Sequence, residues 1–374
     1  MKKLLAIILI LTVLPLTACG RSDISEESAS TPTTAPVSTE APAPTQAPVS
    51  TEAPAPTEAP VPTVSETTPE HYPLTVTDHA GREVIIDEEP QKLVSGYYIS
   101  TSLLIALELD DKLVGIEAKA NKRAIYKLAA PELIDLPNVG TAKEFDLEGC
   151  AALEPDLVIL PLKLKNAAET LEALGINVLL VNPENQELLT EMIHMIAAAT
   201  NTEKRAAELL SFTSTQEQYL ADTLAVSQPP SVYLAGNSSM LSTAGNAMYQ
   251  SDMIRLAGGF NVAAEIADTY WVEINYEQLL TWNPDYIILA SDATYTAEDV
   301  LNDPNLAACN AVVNGNVYQL PNKAEAWDSP VPSGILGALW LANVLHNDLL
   351  TDTDFLEKAD EYYETFYDFT YSKN

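Results

Sequence analysis

The sequence predicts an α/β protein made of two Rossmann-like lobes, each with a central, mostly parallel sheet, joined by one long rigid helix. Three observations predict it. Short apolar runs alternate with helix-length stretches from Lys92 to Val181, the pattern of βα units around a parallel sheet. A long helical region then runs from about Glu187 to Leu224, interrupted near Thr200-Asn201-Thr202, where a new N-cap fits. The alternation restarts at Val232. A chain of 374 residues has room for two or three domains at roughly 150 residues each.

Each element has its own signal. Leu74 to Asp78 and Glu83 to Asp87 alternate in polarity around His79-Ala-Gly81, which reads as a hairpin. Lys92 to Ser95, Leu113 to Glu117, Leu157 to Leu160 and Asn177 to Val181 are the strands of the first lobe. Thr101 to Leu109, Leu147 to Leu153 and Ala167 to Leu174 are its helices. In the second lobe, Val232 to Ala235, Tyr286 to Ala290 and Val317 to Leu320 read as strands. Met248 to Ala257, the stretch opened by Glu277, Ile335 to Leu345 and Asp354 to about Phe366 read as helices.

The ends differ in kind from this body. Lys2 and Lys3 precede an apolar run from Leu4 to Leu14, too short to span a bilayer and suited to a signal peptide. Leu16-Thr-Ala-Cys19 resembles the lipobox of bacterial lipoproteins, which implies lipidation of Cys19. From residue 20 to 70, Pro, Thr, Ala, Ser and Glu dominate, and APVSTEAPAPT occurs at Ala35 and again at Ala47. So little apolar surface cannot offset the entropy of ordering, and such Pro density favours an extended tether. The expected organisation is a signal peptide over 1–19, a disordered tether over 20–70 and an N-terminal lobe over 71–200. A connecting helix over 201–226 and a C-terminal lobe over 227–374 complete it.

Composition removes several functions. With 53 acidic against 19 basic residues and a net charge of -34, the chain lacks the basic face that nucleic acid requires. Three Cys are too few for a disulfide framework. The four His (His71, His79, His194 and His346) lack metal-ligand spacing, so no protein-built metal site and no intrinsic cofactor is expected. No G-x-S-x-G, Walker loop or G-x-G-x-x-G is present, and no enzyme activity is expected. Cys150 and Cys309 read as free buried thiols.

Two phrases carry more. Asp146-Leu-Glu148-Gly-Cys-Ala-Ala-Leu-Glu-Pro155-Asp-Leu-Val-Ile159 recurs in kind as Asn275-Tyr-Glu277-Gln-Leu-Leu-Thr-Trp-Asn-Pro284-Asp-Tyr-Ile-Ile288. Each is an acidic helix start, an apolar helix, a Pro-Asp turn and a buried strand. With the lipobox, this layout resembles the helical-backbone (class III) substrate-binding proteins of ABC importers over nearly all of Pro73 to Leu349. The resemblance implies an extracytoplasmic lipoprotein, expected as a monomer, anchored on the outer face of a bacterial membrane and partnered by an ABC permease and its ATPase. It also implies that Glu148 and Glu277 dock onto permease arginines, where carboxylate–guanidinium pairs select orientation.

The ligand is expected between the lobes, at the carboxyl ends of the strands. Tyr97 and Tyr98 follow the first strand there. Lys119, Arg123 and Tyr126 follow the second, and Lys163 and Lys165 follow the third. Trp271 stands where relatives place an aromatic wall, and Trp327 follows the strand ending at Leu320. Eight of the nineteen basic residues lie between Lys112 and Lys165, which points to an anionic ligand focused into the cleft. The expected cargo is a metal chelate, a ferric siderophore or similar iron complex. Haem, a corrinoid or an oxyanion is the alternative on the same fold, and a surface sensor or adhesion module is the alternative outside transport.

Overall fold

The computed structural model describes residues 71–225, 228–267 and 271–374. The expected signal peptide, Cys19 and the repeat-bearing tether lie outside the described residues. The hairpin forms as read: β1 (Leu74–Thr77) pairs antiparallel with β2 (Glu83–Ile86), Leu74 opposite Ile86. Gly81 turns it at φ +73°, a conformation that strains any residue with a Cβ.

The first lobe is built from β3 (Leu93–Ser95), α1 (Tyr98–Ala106), β4 (Leu113–Ile116), α2 (Ala124–Ala129), α3 (Leu147–Ala152), β5 (Leu157–Pro161), α4 (Lys165–Ala173) and β6 (Asn177–Val181). Its four strands are parallel, in the order β4-β3-β5-β6. Leu93, Ile159 and Leu179 face one apolar cluster, and Val94, Val158, Leu160, Val178 and Leu180 face another. Strands buried on both faces lose polar alternation, which is why they read as unbroken apolar runs.

Two helices follow, α5 (Gln186–Thr200) and α6 (Glu203–Thr223). The break between them differs in mechanism from the expected cap. Asn201 ends α5 at φ 57°, in the left-handed region. Thr202 makes no cap bond; its hydroxyl pairs with that of Thr200 at 2.9 Å. At 21 residues, α6 is about 31 Å long.

The second lobe comprises β7 (Ser231–Ala235), β8 (Ser242–Thr243), α7 (Tyr249–Leu256), β9 (Phe260–Asn261), β10 (Val272–Glu273), α8 (Tyr276–Trp282), β11 (Tyr286–Leu289), α9 (Ala297–Leu301), α10 (Asn310–Val313), β12 (Val317–Gln319), α11 (Ile335–Leu345) and α12 (Asp352–Tyr367). Its main sheet is again parallel, in the order β12-β11-β7-β9. Counted along the chain, both sheets run second, first, third, fourth. β8 and β10 form a separate antiparallel pair.

The recurrent phrase has a shared structural job. Asp146 and Asn275 cap α3 and α8, accepting from the N–H groups of Gly149 and Gln278. After each helix, the Pro-Asp aspartate ties down the start of the neighbouring strand. Asp156 Oδ2 accepts from the N–H groups of Gln91 and Lys92 at 2.8 Å. Asp285 Oδ2 accepts from Ser231 N–H at 3.0 Å and its hydroxyl at 2.7 Å.

Candidate functional site

In both sheets the strand order reverses between the first and third strands, β3 and β5 in one lobe and β7 and β11 in the other. The carboxyl ends at such a reversal diverge and leave a crevice. Gly96 and Gly236 stand at corresponding points, just after β3 and β7. A Cβ on Gly236 would lie 2.9 Å from Trp271 Cε3, so the absent side chain lets the indole lie on the strand end. Trp271 keeps 36% of its surface exposed there.

A cavity of about 120 Å³ lies at these ends, walled by Tyr98, Lys122, Arg123 and Tyr126 of the first lobe and Asp292, Asn322 and Glu325 of the second. The Arg123 guanidinium stacks over the Tyr98 ring, 3.9 Å from its centroid, and Tyr97 meets Tyr98 edge-on at 5.3 Å. Arg123 Nε is also 3.9 Å from Glu117 Oε1. A cation held over an aromatic face contributes about 0.5–2 kcal/mol and stays open to a ligand on its other side.

Two buried carboxyl groups, Glu117 and Glu325, lie near this cation, and a third, Asp328, lies near Tyr98. Tyr126 and Thr101 hydroxyls contact the two Glu117 oxygens at 2.7 Å each. Ser102 donates to Glu325 Oε1 at 2.6 Å, and Ser333 donates to Oε2. Ser291 N–H donates to Asp328 Oδ2 at 3.2 Å. Burial raises the pKa of Glu117, Glu325 and Asp328 above the usual carboxylate range, outweighing these bonds and, for the two glutamates, the nearby Arg123.

The expected site residues therefore divide. Tyr98, Arg123 and Tyr126 come together in the cavity wall, with Tyr97 packed against Tyr98. Tyr126 is wholly buried, its hydroxyl committed to Glu117. Lys119 and Lys163 are exposed in the turns after β4 and β5 and Lys165 is exposed at the start of α4; none of the three lines the cavity. Trp327 is a correction. It is fully buried, donates from Nε1 to the Tyr363 hydroxyl at 3.0 Å and packs against Phe355 and Tyr371. The aromatic face of α12 takes the indole into the core, away from the cleft.

Glu117, Glu325, Asp292 and Asn322 were not among the expected residues. Their signal was weak but present: Glu117 is a carboxyl at the end of the apolar run Leu-Val-Gly-Ile, and Glu325 lies beside Trp327. Glu148 and Glu277 are exposed in the first turns of α3 and α8. Cys150 and Cys309 are free and buried; burial, helped by Asp146, pushes the Cys150 thiol up to about 11. No cluster of three or more potential metal ligands occurs among the described residues. Nor does any helix there have the length and apolarity to cross a membrane.

Comparison with known proteins agrees with this architecture. The molybdate-binding protein MolA of Haemophilus influenzae is 26% identical over 322 residues, covering 79% of this chain and 91% of that protein. An ABC transporter substrate-binding lipoprotein of Bacillus subtilis, YvrC, is 27% identical over 260 residues, 67% of this chain and 79% of that one. The crystal structure of a periplasmic solute binding protein from Veillonella parvula superposes with a TM-score of 0.68 at 25% identity, covering 79% of this chain and 93% of that one. Residues 93–324, from the first strand of one sheet to past the last strand of the other, match the family model for periplasmic binding proteins. The chain belongs to that family, the solute-binding proteins of ABC importers.

Proposed function

We propose that this protein captures a metal-containing anion between its lobes and delivers it to an ABC permease, with Glu148 and Glu277 docking on the permease and a lipid on Cys19 holding the chain at the membrane. A ferric chelate is the first reading of the cargo. The observation that carries it is the Arg123–Tyr98 stack in the cavity wall, with Tyr97 beside it and Trp271 exposed at the carboxyl end of the second sheet. Aromatic faces cover the organic part of a chelate, and the guanidinium offsets its charge. Lys119, Lys163 and Lys165 extend the positive charge outside the cavity and draw an anion inward.

A bare oxyanion is the second reading. The cavity, at about 120 Å³, is smaller than the roughly 300–1,000 Å³ of a pocket for a larger organic ligand. Similarity to a molybdate-binding protein favours the same choice.

The test is a tryptophan-fluorescence titration of the full-length protein with ferric siderophores, haem, cobalamin, molybdate and tungstate. Saturable quenching by one of them is expected, with the signal diminished in Trp271→Ala. Arg123→Gln should weaken that ligand about tenfold or more, the value of one charge-assisted hydrogen bond. Unchanged affinity in Arg123→Gln, or binding of cobalamin or another uncharged solute alone, would remove the anionic reading.

A further inference from the structure

The hydroxyl groups around Glu117 allow its proton to be counted. Tyr126 Oη lies 2.7 Å from Oε1, and Thr101 Oγ1 lies 2.7 Å from Oε2. Thr101 Oγ1 is also 2.8 Å from Ser95 Oγ, which is 3.0 Å from the Tyr97 carbonyl oxygen. These are four oxygen–oxygen contacts of hydrogen-bond length, and the three hydroxyls supply three protons. With an ionised Glu117, Tyr126 and Thr101 both donate to the carboxylate. Ser95 then serves either Thr101 or the Tyr97 carbonyl, and one contact has no hydrogen. A protonated Glu117 fills all four: Glu117 donates to Thr101, Thr101 to Ser95 and Ser95 to Tyr97, while Tyr126 donates to Oε1.

The charged surroundings agree. Glu117 is 6% exposed. From α2 it faces Tyr126, from the residue before α2 it faces Arg123, and from β3 and α1 it faces the hydroxyls of Ser95 and Thr101. Arg123 Nε, at 3.9 Å, is beyond hydrogen-bond reach and stacks on Tyr98 instead. Glu325 lines the same cavity from the second lobe, held by Ser102 and Ser333. Lys122 and Asp292 line the cavity too and are opposite in sign, so two ionised glutamates would outnumber the one guanidinium that is left. A neutral Glu117 leaves that positive charge facing the cleft.

We infer that Glu117 is held as a neutral carboxylic acid and sets the charge selectivity of the ligand site, reserving Arg123 for an anion. This rests on the anionic-cargo reading above. Ionisation of Glu117 at higher pH would place a carboxylate beside the guanidinium and cancel its field, so anion affinity falls as pH rises.

Infrared difference spectra of the full-length protein, wild type against Glu117→Gln, test the protonation state directly near neutral pH. Glutamine keeps an acceptor for Tyr126 and a donor for Thr101, so the network is preserved. The expected result is loss of a protonated-carboxyl carbonyl band in the variant; loss of carboxylate bands instead would overturn the inference. Tyr126→Phe provides a second variant: removing the donor to Oε1 should move the same band to higher frequency, and an unmoved band would count against the assignment. Titrations with molybdate and with an anionic ferric siderophore, between mildly acidic and alkaline pH, test selectivity. Wild-type affinity should fall at least tenfold across the series while Glu117→Gln stays flat, and parallel profiles would overturn the selectivity role. A neutral-acid band with no anion bound at any pH would uphold the protonation state and overturn the cargo reading beneath it.

Discussion

Asp78 shows how far one side chain reaches. Its Oδ2 accepts from Arg82 Nε at 2.9 Å, from Arg82 Nη2 at 2.6 Å and from Leu180 N–H at 3.0 Å, and its Oδ1 accepts from the N–H groups of Ala80 and Arg82. The entry hairpin is thereby fastened to β6 of the first sheet. Burial alone would raise the Asp78 pKa, but the Arg82 and Leu180 bonds outweigh it and the net shift is downward. Asp78→Ala leaves the buried Leu180 N–H without its acceptor, while the guanidinium keeps Glu172 and the Val178 carbonyl, at a cost of about 1–3 kcal/mol. Urea denaturation should find a loss of that size, and a change within error would show the hairpin to be dispensable. The pH signs also separate. A depressed aspartate stabilises fully above its ordinary pKa and loses that contribution as pH falls through the folded value. Glu117, Glu325 and Asp328 are raised, so their burial costs stability as pH climbs from the ordinary carboxylate range through their folded values. Melting curves of wild type should therefore decline toward alkaline pH more steeply than those of Glu325→Gln, and equal slopes would contradict this. At this scale the sequence was least legible. Trp271 and Trp327 both lie in loops near strands, and only the packing of Phe355 and Tyr363 of α12 on Trp327 separates a core indole from a cleft indole.

Elements were far more legible, because pattern and caps act locally. The Asp146 and Asn275 caps lie two residues before Glu148 and Glu277, so each glutamate is delivered, exposed, to the first turn of its helix. Reversing either charge costs about 0.3–1 kcal/mol against the helix dipole, too little to unfold either lobe. Glu148→Arg with Glu277→Arg should therefore keep ligand affinity while abolishing uptake by cells carrying the cognate permease. Undiminished uptake would refute docking through these residues. Short elements escaped the reading: β9 is only Phe260–Asn261, and two residues carry no periodicity. Helix α1 begins at Tyr98 rather than Thr101, which turns the Tyr97-Tyr98 pair from a loop into a helix start.

Across the whole molecule, one apolar cluster runs through both lobes, joining Leu93 and Ile159 of the first sheet to Val232 and Ile288 of the second. Polar ties accompany it. Ser102 of α1 bonds Glu325, and the Tyr249 N–H donates to the Glu184 carbonyl at 3.0 Å. Wide opening would expose that cluster and unpair a buried carboxyl, at a cost far above thermal energy. Small-angle scattering with and without ligand should show an almost unchanged radius of gyration. A compaction of several ångströms would contradict a preformed cleft.

The sequence by itself determined the two sheets, the helices between them, the connecting helix and the twin capped glutamates. These follow from periodicity, caps and turns, which act over a few neighbouring residues. The tertiary structure alone decided which aromatics and charges meet. Glu117 and Glu325 lie far apart in the chain, and what makes them partners of Arg123 is the packing of α1 against the loop before α11. Burial and low dielectric then set their protonation, and neither quantity exists until the lobes have closed on one core.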